Sequence, residues 1–234
     1  SDEMDDWYRR LPLAPCPVLE GLSDWYNEWL EHPDDGPYWW QWNIETQHAE
    51  VDTPVYHLGG LFDGFQFGTL KNYMGMKKLA RSEKARQGQK LILGPWVHGP
   101  TNVNTSIAGG YDFGSKAAVD FNELRLPWFD HWLKGMDTGI MDEPAVRVYL
   151  MGADRWLEGD TWPLPGTEYV PYYLRAGTGE SAGSLNDGRL LRQPPDSEPP
   201  DEYLHDPYNP IPTIGGHGGF GRMWTMGPQD HRPA

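Results

Sequence analysis

The order of apolar and amphipathic segments between residues 51 and 135 restricts the fold of this 234-residue chain more than any other feature. A short apolar run at residues 54–58 predicts a buried strand, and a helix-like segment at residues 67–86 follows it. A second apolar run at residues 91–93 and a second amphipathic segment at residues 117–134 repeat this order. Alternating strands and helices are typical of α/β proteins with a parallel sheet. We therefore predict an α/β fold here.

The C-terminal part of the chain has a different pattern, which predicts a β-rich domain. The chain contains 28 glycines and 22 prolines, about a fifth of its residues, and such a share limits regular helix. Alternating apolar and polar residues at 146–151, and a similar run at 168–175, predict strands. We place the domain boundary between an α/β part at residues 51–138 and a β-rich part at residues 139–234.

Residues 1–50 predict short helices and loops. Ser23 stands in the N-cap position before an amphipathic segment at residues 24–31, and a serine hydroxyl there can accept a backbone N–H. The aromatic run Tyr38-Trp39-Trp40-Gln41-Trp42 follows. It forms either a local core or the wall of an apolar pocket, and the sequence leaves both interpretations open.

Charge and composition exclude several classes of partner. The net charge is −15, so the phosphate backbone of a nucleic acid would repel the chain. No segment approaches the ~20 apolar residues that a membrane span needs. Cys16 is the single cysteine, and no group of residues has the spacing of metal ligands. We expect a soluble protein without nucleic-acid or membrane partners, and the choice between a cytoplasmic and a secreted location stays open.

Asp63 and His98 have the strongest catalytic signal. Asp63 follows the first predicted strand through residues 59–62, and His98 follows the second through residues 94–97. Because parallel strands end at the same edge of a sheet, residues on the loops after neighbouring strands meet there. A carboxylate on one imidazole nitrogen fixes the tautomer and stabilises the imidazolium formed during proton transfer. Position alone also fits a turn aspartate and a packing histidine, so both interpretations stay open at this point.

A nucleophile for such a pair is missing from the sequence. The one literal G-x-S-x-G match is residues 179–183, around Ser181. A nucleophile elbow needs a strand before its serine and a helix after it, whereas turn residues follow Ser181. In α/β-hydrolases the serine also precedes the acid and the histidine in the chain, and Ser181 comes after both. A Ser–His–Asp enzyme would therefore need a serine upstream of residue 1.

Motifs along the chain resemble the family of cocaine esterase, X-prolyl dipeptidyl peptidase and α-amino-acid ester hydrolase. That family carries its triad acid in a GWYD-like motif and its triad histidine in GPWxH. The matching segments here are Gly60–Asp63 (GLFD), Gly68–Tyr73 (GTLKNY), Gly94–His98 (GPWVH), Trp128–Gly135 (WFDHWLKG), residues 205–216 (HDPYNPIPTIGG) and residues 227–232 (GPQDHR).

The resemblance implies the latter half of an α/β-hydrolase domain, followed by an all-β jelly-roll domain that is incomplete. Residues 1–50 look like the end of a helical cap inserted in the hydrolase domain. The family places its nucleophilic serine before that cap, so we expect a fragment of a serine hydrolase, inactive alone, that supplies the triad residues Asp63 and His98. The substrate would be a small-molecule ester or amide, or a peptide, without cofactor or metal. A homo-oligomer is compatible with this expectation.

Further residues are candidates for the substrate pocket, with core packing as the other interpretation for each. They are Tyr38, Trp39, Trp40, Trp42, Phe62 and Trp96. His57 is expected to be a packing histidine. The rival hypothesis is a non-catalytic β-rich binding module for carbohydrate or a partner protein. It requires coplanar exposed tryptophans and tyrosines on the jelly roll, whereas half of the 12 tryptophans lie in the first 50 residues.

Overall fold

The computed structural model describes residues 6–7, 9–175, 188–198, 204–210, 215–216 and 225–229. The chain divides into two compact units, one of residues 1–164 with 213–234 and the other of residues 165–212. The α-helices of the described residues are α1 (Asp24–Glu31), α2 (Pro37–Trp40), α3 (Gln66–Leu79), α4 (Glu83–Gln87) and α5 (Phe121–Lys134). The strands are β1 (Val55–Gly60), β2 (Gln89–Gly94), β3 (Ile107–Ala108), β4 (Tyr111–Asp112), β5 (Val146–Leu150), β6 (Arg155–Gly159), β7 (Tyr173–Arg175), β8 (Arg189–Leu191), β9 (Gly215–Gly216) and β10 (Thr225–Met226).

A four-stranded sheet with the order β1-β2-β5-β6 organises the first unit. β1 and β2 are parallel from Val55 opposite Gln89 to Gly60 opposite Gly94, so both strands end at the same edge. β2 also pairs in parallel with β5, and β6 runs antiparallel to β5. The predicted pair of buried strands and the mixed α/β class are therefore confirmed.

Every residue of β2 is buried, which the central position of the strand explains. Leu91, Ile92 and Leu93 pack into the core on the two faces of the sheet. Gln89 is buried as well, and its side-chain amide donates to the Ala85 carbonyl at 2.6 Å. The polar residue is tolerated because its hydrogen bonds are made within the protein.

The helix predicted over residues 67–86 is two helices in the structure. α3 ends at Leu79, because Ala80 adopts a ψ of 146° that no α-helix continues. Ser82 then caps α4 by accepting the Ala85 backbone N–H at 3.1 Å. Ser82 is a serine directly before a helical segment, which is a recognised start signal, so this correction was available from the sequence.

α5 begins later than predicted, at Phe121 rather than residue 117. Asp120 caps it by accepting the backbone N–H of Asn122 at 2.7 Å, and Gly135 ends it in a left-handed conformation with a φ of 69°. Pro127 lies inside the helix. The helix buries Leu124 and Trp128 against the sheet.

Ser23 does not act as the predicted N-cap. α1 spans residues 24–31 as predicted, but the Ser23 side chain accepts no capping hydrogen bond, and its hydroxyl is buried without a hydrogen-bond partner among the described residues. Aromatic ring contacts are present within the helix and between it and α2. Trp29 contacts Trp25 and Trp39, with ring centroids 4.5 and 5.7 Å apart respectively.

The C-terminal part of the chain is β-rich in the described residues, as predicted. In the second unit, β7 and β8 form an antiparallel pair. β5 and β6, however, continue the sheet of β1 and β2, so this sheet extends past the boundary placed at residues 138 and 139. That boundary does not coincide with the division after residue 164. It stays a prediction of domain organisation, as does the jelly-roll arrangement.

Candidate active site

Asp63 and His98 lie on the two loops that leave the carboxyl ends of β1 and β2. Gly60 and Gly94, the last residues of these strands, are register partners. Each loop is short, so both side chains reach the same point above the sheet edge. The sequence expectation that parallel neighbours bring the two residues together agrees with this placement.

The two side chains are hydrogen-bonded to each other. Nδ1 of His98 lies 3.2 Å from Oδ1 and 3.1 Å from Oδ2 of Asp63. Because a carboxylate accepts, this pairing places the imidazole proton on Nδ1. Asp63 is 13% exposed, whereas His98 is 41% exposed. The pair therefore combines a largely buried acid with a more accessible imidazole.

The loop of Asp63 holds its carboxylate in place. The backbone N–H of Asp63 donates to the Gly60 carbonyl at 3.1 Å, which closes a turn. Oδ1 of Asp63 accepts the backbone N–H of Phe65 at 2.9 Å. The Phe65 ring in turn packs edge-on against the His98 ring, with centroids 5.2 Å apart. Charge-assisted hydrogen bonds of this kind stabilise an ionised carboxylate.

The residues that follow His98 hold its loop in place. Gly99 has a φ of 113°, a conformation that side chains rarely adopt. The side-chain amide of Asn102 donates to the His98 carbonyl and links it to the 3₁₀-helix Pro100–Asn104. Phe65 and Asn102 were not singled out from the sequence, because nothing local marks a residue whose role depends on a contact across a loop.

A cavity of about 350 Å³ opens beside the pair. Apart from Asp63 and His98, the described side chains that line it are aliphatic or aromatic. No serine, threonine or cysteine is present among these lining residues, so the described residues of the cavity supply no hydroxyl or thiol nucleophile of those types. The lining consists of Tyr56, Leu58, Gly60, Asp63, Trp96, Val97, His98, Gly99, Val103 and Phe121.

A second, mostly apolar cavity of about 310 Å³ lies along β1 and shares part of its lining with the first. Tyr56, Leu58 and Phe121 line both cavities, and Trp128 and Phe129 of α5 also line the second one. Burial raises the pKa of Tyr56 to about 12, so its hydroxyl stays protonated at physiological pH.

The other predicted site residues occupy different places. Trp96 lines the cavity beside His98 but is only 2% exposed. Phe62 lines a separate cavity of about 290 Å³ with Tyr111 and Phe113. The structure does not bring the remaining four into these cavities. They are Tyr38, Trp39, Trp40 and Trp42. Trp40 donates its indole N–H to Asp35 at 3.0 Å, and the other three contact one another or α1.

The other histidines and serines considered from the sequence lie away from the pair or outside the described residues. His57 is buried and hydrogen-bonds to the Gln89 side chain at 2.8 Å, which agrees with a packing role. Burial lowers its pKa. Ser181 lies outside the described residues. Within the described part of the chain, no three His, Cys, Asp or Glu side chains group together as metal ligands would.

The fold belongs to the mixed α/β class, and comparisons with known proteins identify the family. Residues 6–100 match the model of the X-Pro dipeptidyl-peptidase (S15 family), and residues 138–231 match that of the X-Pro dipeptidyl-peptidase C-terminal non-catalytic domain. The chain therefore belongs to the hydrolytic family of X-prolyl dipeptidyl peptidase and cocaine esterase. The resemblance identified from the sequence motifs is confirmed.

Individual relatives support the same assignment. Cocaine esterase from Rhodococcus sp. is 32% identical over 95% of this chain. Two solved structures have a TM-score of 0.64. An aminopeptidase from a marine sediment Thaumarchaeota archaeon is 26% identical over 89% of the chain, and an α-amino acid ester hydrolase is 27% identical over 83%.

The chain spans only part of each relative. It covers 37% of the cocaine esterase, 32% of the aminopeptidase and 31% of the ester hydrolase. None of the helices in the described part of the chain has the length and apolar character that crossing a bilayer requires.

Proposed function

We propose that this chain supplies the acid and the histidine of a serine-hydrolase triad, with Asp63 orienting His98 for acyl transfer from an ester or amide to water. The observation that carries the proposal is the hydrogen bond from Nδ1 of His98 to the Asp63 carboxylate, beside a cavity. Membership of a hydrolytic family supports it independently.

The proposed nucleophile is a serine outside the printed sequence. Serines among the described residues do not line the cavity beside His98. Ser82 caps α4, and Ser23 is buried beside α1. The relatives are also about three times as long as the part of them that this chain covers. On this proposal the chain is part of a larger hydrolase and is inactive alone.

In the complete enzyme, the serine hydroxyl attacks the substrate carbonyl and gives its proton to Nε2 of His98. Asp63 holds the Nδ1 proton and stabilises the imidazolium, without itself taking the proton. His98 then protonates the leaving alcohol or amine, and the acyl group remains on the serine. A water molecule, activated by the same nitrogen, hydrolyses the acyl-enzyme. These steps need neither metal nor cofactor.

The substrate class proposed is an ester or an amide, and one form of the amide is a peptide that begins with an X-Pro dipeptide. The family model and the relatives are named for X-Pro dipeptides, cocaine and α-amino acid esters. We propose Phe62, Trp96 and the aromatic residues Tyr38, Trp39, Trp40 and Trp42 as contributors to the acyl site of the complete enzyme. The rival hypothesis of a β-rich binding module stays a prediction.

A serine-directed phosphonate tests the proposal. It should label no serine in the 234-residue chain, and it should label one serine when the open reading frame that encodes this chain is expressed at its full genomic length. The substitution His98→Ala should abolish that labelling, whereas His205→Ala, at an exposed histidine, should not. Stoichiometric labelling of a serine in the 234-residue chain alone would show that the nucleophile lies within this chain and that the proposal is wrong on this point.

A further inference from the structure

The loops that carry Asp63 and His98 are joined directly through their backbones. The N–H of Leu61 donates to the Gly94 carbonyl at 2.8 Å, and the N–H of Phe62 donates to the Trp96 carbonyl at 3.0 Å. The second bond links the residue before Asp63 to a residue two positions before His98. The position of Trp96 therefore affects both members of the pair.

The side chain of Trp96 is fixed within the core. It is 2% exposed, and its indole N–H donates to the Ala117 carbonyl at 2.8 Å. The ring lies against Gly94, where an added β-carbon would overlap it, and its centroid is 5.9 Å from that of Trp156. The side chain thus holds the backbone of residue 96 in one position relative to the end of β2.

Gly60 explains why the two loops come so close. A β-carbon added to Gly60 would overlap the carbonyl group of Trp96. Gly60 does not have a positive φ, so close approach rather than backbone conformation requires glycine here. The overlap involves backbone atoms, which cannot swing away as the end of a flexible side chain can.

We propose that Trp96 is a positioning residue that sets the separation of Asp63 and His98, through its carbonyl on the Asp63 loop and its anchored indole beneath the His98 loop. This inference rests on the proposed function, because it assumes that the pair acts in catalysis. The hydrogen bond between the pair is 3.1–3.2 Å long, near the upper end of the normal range. A displacement of a few tenths of an ångström therefore weakens it.

The tautomer of His98 depends on its separation from Asp63 and can be measured without any catalytic activity. We would label histidine with ¹⁵N and record the nitrogen shifts well above pH ~6.5, where an ordinary imidazole is neutral. His98→Ala identifies the resonances. In the wild type, the Asp63 carboxylate should hold the proton on Nδ1, and Asp63→Asn should shift the population toward the Nε2–H form.

Gly60→Ala is the decisive variant, and Gly68→Ala is its matched control. Gly68 lies on α3 near Asp63, and a β-carbon there meets nothing within 4 Å. The fraction of His98 that carries its proton on Nδ1 should fall from the wild type to Asp63→Asn. We expect Gly60→Ala to show at least half of that fall and Gly68→Ala to show none of it. Trp96→Phe removes the N–H that binds Ala117 and should give a smaller fall. If circular dichroism shows that Gly60→Ala does not fold, the tautomer of His98 in Trp96→Phe tests the positioning role instead.

The outcomes separate this inference from the proposed function. If Asp63→Asn leaves the His98 tautomer unchanged, the pair is not coupled and the proposed function loses its main support. If Asp63→Asn changes the tautomer but Gly60→Ala and Trp96→Phe keep the wild-type population while folded, the pair stands and the positioning role of Trp96 is wrong.

Discussion

The ring of His48 occupies the space that a β-carbon on Gly75 would need. His48 is 3% exposed, and its Nε2 lies 3.0 Å from the Asn72 side-chain oxygen, one turn earlier on α3. Glu45 and Lys71 form an ion pair beside this contact, with a nitrogen–oxygen distance of 2.9 Å. The 3₁₀-helix Ile44–Glu50 is therefore held on α3, the helix that follows the Asp63 loop.

Gly75→Ala should destabilise the protein, although alanine favours helix over glycine by about 1 kcal/mol. The added methyl group displaces the His48 ring from its space, and overpacking of this kind costs about 1–3 kcal/mol. Gly68→Ala on the same helix meets nothing and should be neutral or stabilising. Thermal unfolding of both variants measures the difference. Equal melting temperatures would show that the His48 contact is not retained in solution.

Asp63→Asn in the full-length enzyme should lower kcat by about 10⁴, because the amide no longer selects the productive tautomer of His98. The fold should persist, since the asparagine oxygen still accepts the N–H of Phe65. Asp52→Asn, at an exposed aspartate before the other end of β1, is the control and should leave kcat unchanged. A loss of less than tenfold at Asp63 would refute the orienting role.

Local patterns predicted the parts of the site that lie near each other in the sequence. The apolar runs predicted β1 and β2, and the residues after them are the pair Asp63–His98. The pairing of β5 with β2 was not predicted, because strand pairing between distant segments leaves no local periodicity. The overlap between Gly60 and Trp96 was equally hidden, since a glycine required by close approach looks like any other turn glycine.

His57 should make the protein less stable as the pH falls below neutrality. Burial lowers the pKa of His57, so between its folded-state pKa and the unfolded value of ~6.5 only the unfolded chain takes up the proton. Stability is therefore complete above this window and falls through it, by at most about 1.4 kcal/mol per pH unit. Denaturant unfolding at several pH values between about 7 and about 5 measures this slope.

His57→Gln removes the titrating group while it keeps an N–H donor for Gln89, and it should flatten this acid slope. His205→Gln, at an exposed histidine, should retain the wild-type slope. If His57→Gln and the wild type lose stability equally between these pH values, then another group causes the acid sensitivity.

Lys90 should contribute to stability because its side chain links β2 to the loop before β5 by hydrogen bonds. Its side chain is 2% exposed, and Nζ donates to the carbonyls of Ile140 at 2.6 Å and Glu143 at 3.2 Å.

Lys90→Met keeps the length of the side chain but leaves both carbonyls without this donor. Ile140 is buried, so its unsatisfied carbonyl costs about 1–3 kcal/mol, and loss of the contact with the exposed Glu143 adds to this; relief of the buried ammonium offsets part of the cost. We expect a net loss of about 1–3 kcal/mol in the free energy of unfolding, whereas Lys78→Met, at an exposed lysine, should change it by less than about 0.5 kcal/mol. Greater stability of Lys90→Met than of the wild type would mean that desolvation of the ammonium outweighs its two hydrogen bonds.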